Sequence, residues 1–273
     1  DDGTPLGSAQ SAECRIDSLT QSWAVLSGVA RTDRARQSME AVRAHLLRRE
    51  AQLVLLLTPP FDRTSHDPGY IKGYLPGIRE NGGQYTHAAL WAVLALAALR
   101  QGDEAMELFH LVNPINHTRT DEGVERYRGE PFAVAADVYA HPMHVGRAGW
   151  TWYTGSAGWM YRAAVEGLLG LRRQGQTFSV QPAIPAMWPG FTMEWLLEGT
   201  TYRITVSNPE HRSAGVASGT FDGLAVDPLA IPLQQDGQSH EVCVRLGAGQ
   251  ERSASRHAVS ASAPRRSRRR RAR

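Results

Sequence analysis

Cysteine is scarce in this chain of 273 residues: Cys14 and Cys243 stand far apart. Two thiols are too few for a disulfide scaffold, and a reduced pair in a cytoplasmic protein is the plainer reading. No Cys or His pair has metal-ligand spacing. The nearest, His141 and His144 in "HPMH", has Pro142 between them, which argues against presentation from a helix. No metal and no cofactor are therefore expected. No apolar run approaches the roughly 18 residues of a membrane span. The opening "DDGTPLGSAQ" carries neither a basic n-region nor an apolar h-region, so it reads as a chain entered within a domain rather than as a leader.

Positive charge is also scarcer than the total suggests. The last nine residues, "RRSRRRRAR", hold seven arginines, and removing them turns the net charge of +3 into −4. The rest of the chain is mildly acidic, which speaks against a nucleic-acid surface on the fold. The tail, residues 251–273, is a block of like charge and is expected to be disordered.

What is present is a helical first part. "DSLTQSWAVLSGVA" (17–30) spaces Leu19, Trp23, Leu26 and Val29 three or four apart, and "ARQSMEAVRAHLLRRE" (35–50) is amphipathic with a basic last turn. A long Gly- and Pro-rich loop, "DRTSHDPGYIKGYLPGIRENGG", leads into a helix over about 84–101, followed by "DEAMELFHLVN". Residues 114–130 read as a second long loop. "PFAVAADVY" is ambiguous between helix and strand, and a last helix is expected over 156–173. From Gly175 the period changes to short strand-like runs, "TFSVQPAI", "FTMEWLLEG", "TYRITVSN", "IPLQQ" and "HEVCVRL". The expected fold is mainly α over residues 1–175, with a C-terminal β domain over 176–250.

Two stretches place polar residues and glycines directly before a helix: "RENGGQYTH" (79–87) and "GWTWYTGSAGW" (149–159). A helix N-terminus has unpaired N–H groups and a positive dipole end, and so suits an anion. Gly82 and Gly83 allow close backbone approach. Thr154 and Gly155 offer a hydroxyl and a bare N–H, His87 lies in a first turn, and Arg79 supplies a forked cation. Trp150, Trp152 and Tyr153 offer flat faces suited to sugar rings. Each feature has a plainer reading beside it. Thr154 or Ser156 would serve as an N-cap, Gly82–Gly83 as a turn, His87 as a core histidine, and the tryptophans as core.

The wording "QSWAVLSG", "IKGYLPGIRENGGQYTHAALW" and "WYTGSAGWMYR" resembles glycoside hydrolase family 94, the inverting β-glucoside phosphorylases, over about residues 1–209. The likeness extends to the phosphorylase-like region of cyclic β-1,2-glucan synthases. It implies an (α/α)6 toroid, here partial, followed by a jelly-roll-like β-sandwich. It implies phosphorolysis of a β-glucosidic bond to α-glucose 1-phosphate, with inorganic phosphate as co-substrate and β-glucan or a β-glucooligosaccharide as partner. By motif match, His87, Thr154 and Gly155 correspond to phosphate ligands, and Arg79, Glu80 and Trp152 to the sugar side. The resemblance also implies a cytoplasmic site of action, with the parent protein anchored at the inner membrane, and a homodimer.

The family's general acid lies in a "GDWND"-like motif, which this sequence does not contain. The acid is therefore expected upstream of residue 1, in a missing upstream half, and the chain alone is expected to be inactive and aggregation-prone. Glu80 and Asp137 are the carboxyls that compete for the role. A carboxylate paired with an arginine is a poor proton donor at neutral pH, and Asp137 has no evident perturbing partner in the sequence. The competing classes of function are a non-catalytic carbohydrate-binding module and a basic-tailed interaction protein.

Overall fold

A computed structural model of the chain describes residue 3, residues 6–65 and residues 67–248. The arginine-rich tail expected to be disordered lies outside the described residues. Helix α1 (Ser18–Leu26) starts where the Asp17 carboxylate accepts from Thr20 N at 2.7 Å. Helix α2 (Thr32–His45) follows, stopping before the residues expected to extend it. Leu47–Arg48 instead pairs with Leu53–Val54. Helix α3 (Thr86–Ala98) is the centre of the helical part. Ala89, Leu90, Ala92, Val93, Leu94, Ala95, Leu96 and Ala97 are all buried, so it has no solvent face along most of its length. Helix α4 (Gly102–Val112) packs beside it.

The reading of residues 114–130 as a loop needs correction. Two short helices, α5 (Pro114–His117) and α6 (Asp121–Tyr127), occupy it, capped by the side chains of Asn113 and Thr120. Pro114 at the first helical position and acidic residues in the first turn of α6 are start signals that the polar composition masks. Helix α7 (Thr154–Arg162) continues through a π-helical turn to Leu168. It does not reach Arg173 as expected. Gly170 adopts φ +75°, where a Cβ would overlap the Gln181 carbonyl, and Leu171–Gln174 turns into strand β1.

Strand β1 pairs with β2 (Thr177–Val180), and β7 (Ile231–Pro232) completes a three-stranded sheet in the order β7-β2-β1. A second sheet has the order β6-β5-β8-β4-β3, from β3 (Gly190–Leu197), β4 (Thr200–Ser207), β5 (Val216–Phe221), β6 (Leu224–Val226) and β8 (Ser239–Leu246). Strands β4 and β8 run parallel, Thr201 opposite Ser239 through Ser207 opposite Arg245. Burial alternates along both. Phe178 and Val180 from the first sheet meet Tyr202, Ile204, Val242 and Val244 from the second in one apolar cluster. The helical and β parts join at the start of α4, where the Asp103 carboxylate accepts from Ala186 N (3.0 Å) and Ser213 Oγ (2.6 Å).

Candidate functional site at the mouths of two helices

The two loop-to-helix stretches are far apart in sequence, and a small ladder brings them together. Gln84–Tyr85 pairs antiparallel with Asp137–Val138. On the other edge, Val138 bridges Ala148, Gly149 N donates to Asp137 O at 2.9 Å and Ala136 N to Trp150 O at 2.6 Å. The ambiguous "PFAVAADVY" is thus the strand between the two junctions. Tyr85 and Tyr153, the residues before α3 and α7, make no side-chain cap hydrogen bond.

His87 and Gly155 meet there. A Cβ on Gly155 would stand 2.6 Å from His87 Nε2, so the imidazole lies directly against the second residue of α7. Tyr85 stacks on the His87 ring (centroids 5.6 Å apart, 22° between planes) and Trp91 meets its edge at 6.3 Å. Nδ1 is buried without a hydrogen-bond partner. Burial holds the His87 pKa below its ordinary value, and the helix N-terminus works in the same direction. A neutral imidazole results, able to donate one N–H to an anion without carrying charge. Thr154 is exposed as the first residue of α7.

Arg79 lies in the left-handed region (φ +48°). Its guanidinium sits between two aromatic faces, 5.4 Å from the Tyr74 centroid and 5.2 Å from that of Trp150. Its Nε is 3.5 Å from Glu80 Oε2, an ion-pair distance at which neither atom completes a hydrogen bond. Burial works against the charge, and Glu80, Tyr74 and Asp137 outweigh it, so the Arg79 pKa stands above its usual value. Asn81 locks the turn: its Nδ2 donates to Phe61 O and Tyr74 O, and its Oδ1 accepts from Phe61 N. Gly83 serves this turn, since a Cβ there would lie 2.9 Å from Arg79 O.

Trp152 is placed differently from its sequence neighbours. Its ring is mostly exposed, its Nε1 donates to Glu130 Oε1 at 3.1 Å, and Phe132 meets it edge-on at 5.9 Å. Trp150 is the tryptophan that covers Arg79. Tyr85 is the residue the sequence did not single out. Its ring stacks on His87, its hydroxyl feels Glu80, Arg79 and Tyr153, and burial raises its pKa. Its place beside His87 in "QYTH" was the only signal.

Of the two competing carboxyls, Asp137 is 1% exposed, and the expectation that it lacks a perturbing partner does not hold. Burial raises its pKa, while Arg79 and the backbone N–H groups of Arg79 and Trp150 oppose the shift. The direction suits a proton donor, and the enclosure of the carboxyl weighs against contact with a substrate.

A neutral imidazole, two helix N-termini without side-chain caps and an arginine walled by aromatic rings meet at these junctions, an arrangement suited to an anion beside a polar, ring-shaped ligand. Residues 1–170 match the Glycosyl hydrolase 94 superfamily, catalytic domain, and the chain belongs to that family. It is 52% identical over 218 residues to cyclic beta-(1,2)-glucan synthase NdvB of Rhizobium meliloti (strain 1021), covering 80% of this chain and 8% of the synthase. It is 36% identical over 247 residues to N,N'-diacetylchitobiose phosphorylase of Vibrio proteolyticus, covering 90% of this chain and 30% of that enzyme. Solabiose phosphorylase of Paenibacillus borealis is 30% identical over 254 residues, with 90% and 32% covered. The chain therefore spans under a third of the length of these relatives.

Proposed function

We propose that the chain carries the phosphate and sugar side of a β-glucan-processing site, of the cyclic β-1,2-glucan synthase or inverting phosphorylase type. The observation that carries this reading is the packing of His87 Nε2 on Gly155, at the joined mouths of α3 and α7. Phosphate is held by His87, Thr154 and the N–H of Gly155. A dianion there is bound by helix N-termini and a neutral donor, and needs no general base because it arrives already anionic. Arg79 and Glu80 take sugar hydroxyls, with Trp152 and Trp150 as aromatic walls. The proton donor belongs to a part of the longer relatives that this chain does not span. Within the whole protein the helices form an arc of an (α/α)6 toroid and the sheets a jelly roll. No helix among the described residues is long and apolar enough to cross a membrane. A cytoplasmic site of action and a homodimer complete the reading.

The test is release of α-glucose 1-phosphate from β-1,2-glucooligosaccharides and inorganic phosphate. It is run with the chain alone and with the preceding portion of a longer relative added. Turnover only in the supplemented sample supports the proposal. Turnover by the chain alone places the acid within it and overturns the division of labour. A second reading, a non-catalytic carbohydrate-binding module, is favoured by the exposed rings of Phe132, Trp150 and Trp152. Glucan binding indifferent to phosphate, with no turnover in either sample, would select it.

A further inference from the structure

A cavity of about 590 Å³ lies on the seam between the helical and β parts. Its size is that of a small-ligand site. Arg100 enters it from just beyond α3, Arg172 from β1, Gln181 from the end of β2, Ser218 from β5 and Asp227 from the turn after β6. The buried helix α3 is about 20 Å long, and the cavity lies at the opposite end of it from His87. It is therefore separate from the site at the helix mouths.

The fold leaves much of the polar lining unused. Arg172 is anchored through Nε, which donates to Glu166 O at 2.9 Å, and its two Nη groups have no partner among the described residues. Arg100 stands at φ +62°, a position after a helix that glycine usually fills. Among the described residues its guanidinium has no hydrogen bond or ion pair, and neither arginine pairs with Asp227. Asp227 Oδ1 accepts from Leu229 N at 2.9 Å, which leaves Oδ2 open. Gln181 Nε2 donates to Ser179 Oγ at 3.3 Å, which leaves Oε1 open. Two forked cations without a carboxylate partner suit a phosphate group. A carboxylate oxygen, an amide oxygen and the Ser218 hydroxyl suit sugar hydroxyls. Among the described residues no aromatic side chain lines the cavity, so it has no stacking face for a glucan chain.

We propose that the seam cavity is a second ligand site, for a phosphorylated monosaccharide. Arg100 and Arg172 take the phosphate, and Asp227, Gln181 and Ser218 take the hydroxyls. The site does not depend on the reading of the α3 mouth; that reading only supplies the choice of probe, α-glucose 1-phosphate.

The test titrates the full chain with α-glucose 1-phosphate by calorimetry and compares Arg100→Gln/Arg172→Gln with Gly155→Ala. The wild type is expected to take up two equivalents. The double arginine variant is expected to lose one, with affinity at the seam falling at least about tenfold, and Gly155→Ala to lose the other. Inorganic phosphate and glucose are each expected to bind the seam at least about tenfold more weakly than the sugar phosphate. Ala225→Trp fills the cavity from an exposed position on β6 without changing charge. It is expected to remove the same equivalent, and it decides the matter if the double variant does not fold. Uptake unchanged in these variants overturns the proposal, as does no uptake at all, or a single equivalent that Gly155→Ala abolishes. Equal affinity of the seam for inorganic phosphate overturns its assignment to a sugar phosphate. A single equivalent that Gly155→Ala retains and the arginine variant loses overturns the reading of the α3 mouth alone.

Discussion

Asn208 in the β part and Asp137 in the helical part are each 1% exposed, and their surroundings differ. Asn208 is fully paired: its Nδ2 donates to the carbonyls of Trp188 (2.9 Å), Arg212 (3.0 Å) and Ala186 (3.4 Å), and its Oδ1 accepts from Arg212 N (2.9 Å). Asp137 has an oxygen with no partner. The contrast holds more widely among the described residues. Buried side-chain polar atoms without a hydrogen bond occur, besides Asp137, on Ser18, Ser22, Arg43, Arg79, Glu80, Gln84, Thr86, His87, Trp91, Gln101 and His117, all before residue 138, and on none from Leu171 to Ala248. Leaving a buried polar group unpaired costs stability. Buried side-chain polar groups of the β part are thus paired, with Asp103 of α4 serving its edge, whereas the helical part has unpaired ones and several of them line the candidate site.

Asn208→Ala should break the β part most. Its carbonyl and N–H partners would be left buried and unpaired, a loss of about 3 kcal/mol in urea unfolding. A loss under about 1 kcal/mol would mean that the two parts do not differ as described.

Acid should separate the parts next. His117, 2% exposed and stacked on Tyr127 at 4.8 Å, has its pKa lowered by burial from 6.5 to about 4. The unfolded chain then binds the proton more readily, so this stability is present above pH 6.5 and is lost as pH falls through about 4. The full loss is about 3 kcal/mol, and His117→Phe should flatten it. His240 in the β part has the opposite sign. Its ring bonds Asp222 Oδ2 (2.7 Å) and Asp236 Oδ1 (3.2 Å), and the hydrogen bond to Asp222 is the main cause of its raised pKa. Its contribution is present below its unfolded pKa and is lost as pH rises through the folded one. Amide exchange across both regions from pH 4 to 8 would show α5 and α6 opening in acid and the start of β8 opening as pH rises. A common direction in both would refute the assignment.

Gly155→Ala tests whether the unpaired groups in the helical part serve a ligand. The added methyl must displace His87, and inorganic phosphate affinity should fall about tenfold by calorimetry, with little change in the urea midpoint. Unchanged phosphate binding would detach His87 and Gly155 from the site. The smallest effect is expected at Ser22→Ala. Its hydroxyl is buried and unpaired, so its removal should leave stability within about 0.5 kcal/mol of wild type or raise it. A loss of about 2 kcal/mol would show a partner for that hydroxyl.

Much of the site was legible one junction at a time. The helix pattern after His87, the small residues after Tyr153 and the family wording picked out His87, Thr154, Gly155, Arg79 and Glu80 before any contact was known. The joining of the junctions was not legible, because it depends on a strand of two residues, Asp137–Val138. So short a run carries no period and reads equally as helix or loop. The same limit hid α5 and α6, and it gave Leu171–Gln174 to the preceding helix, because the pairing that makes it a strand lies beyond the turn.

The sequence by itself determined the places of the longer helices and of most of the C-terminal strands, and the polar, glycine-bearing stretches before α3 and α7. These rest on local spacing and backbone preference, which neighbours in the chain dictate. Only the tertiary structure decided that the two helix mouths meet, that Trp150 rather than Trp152 covers Arg79, and that Asp137 lies enclosed beneath them. Those facts depend on pairings between residues about fifty positions apart, and on burial that alters charge, and neither leaves a mark on the order of the residues.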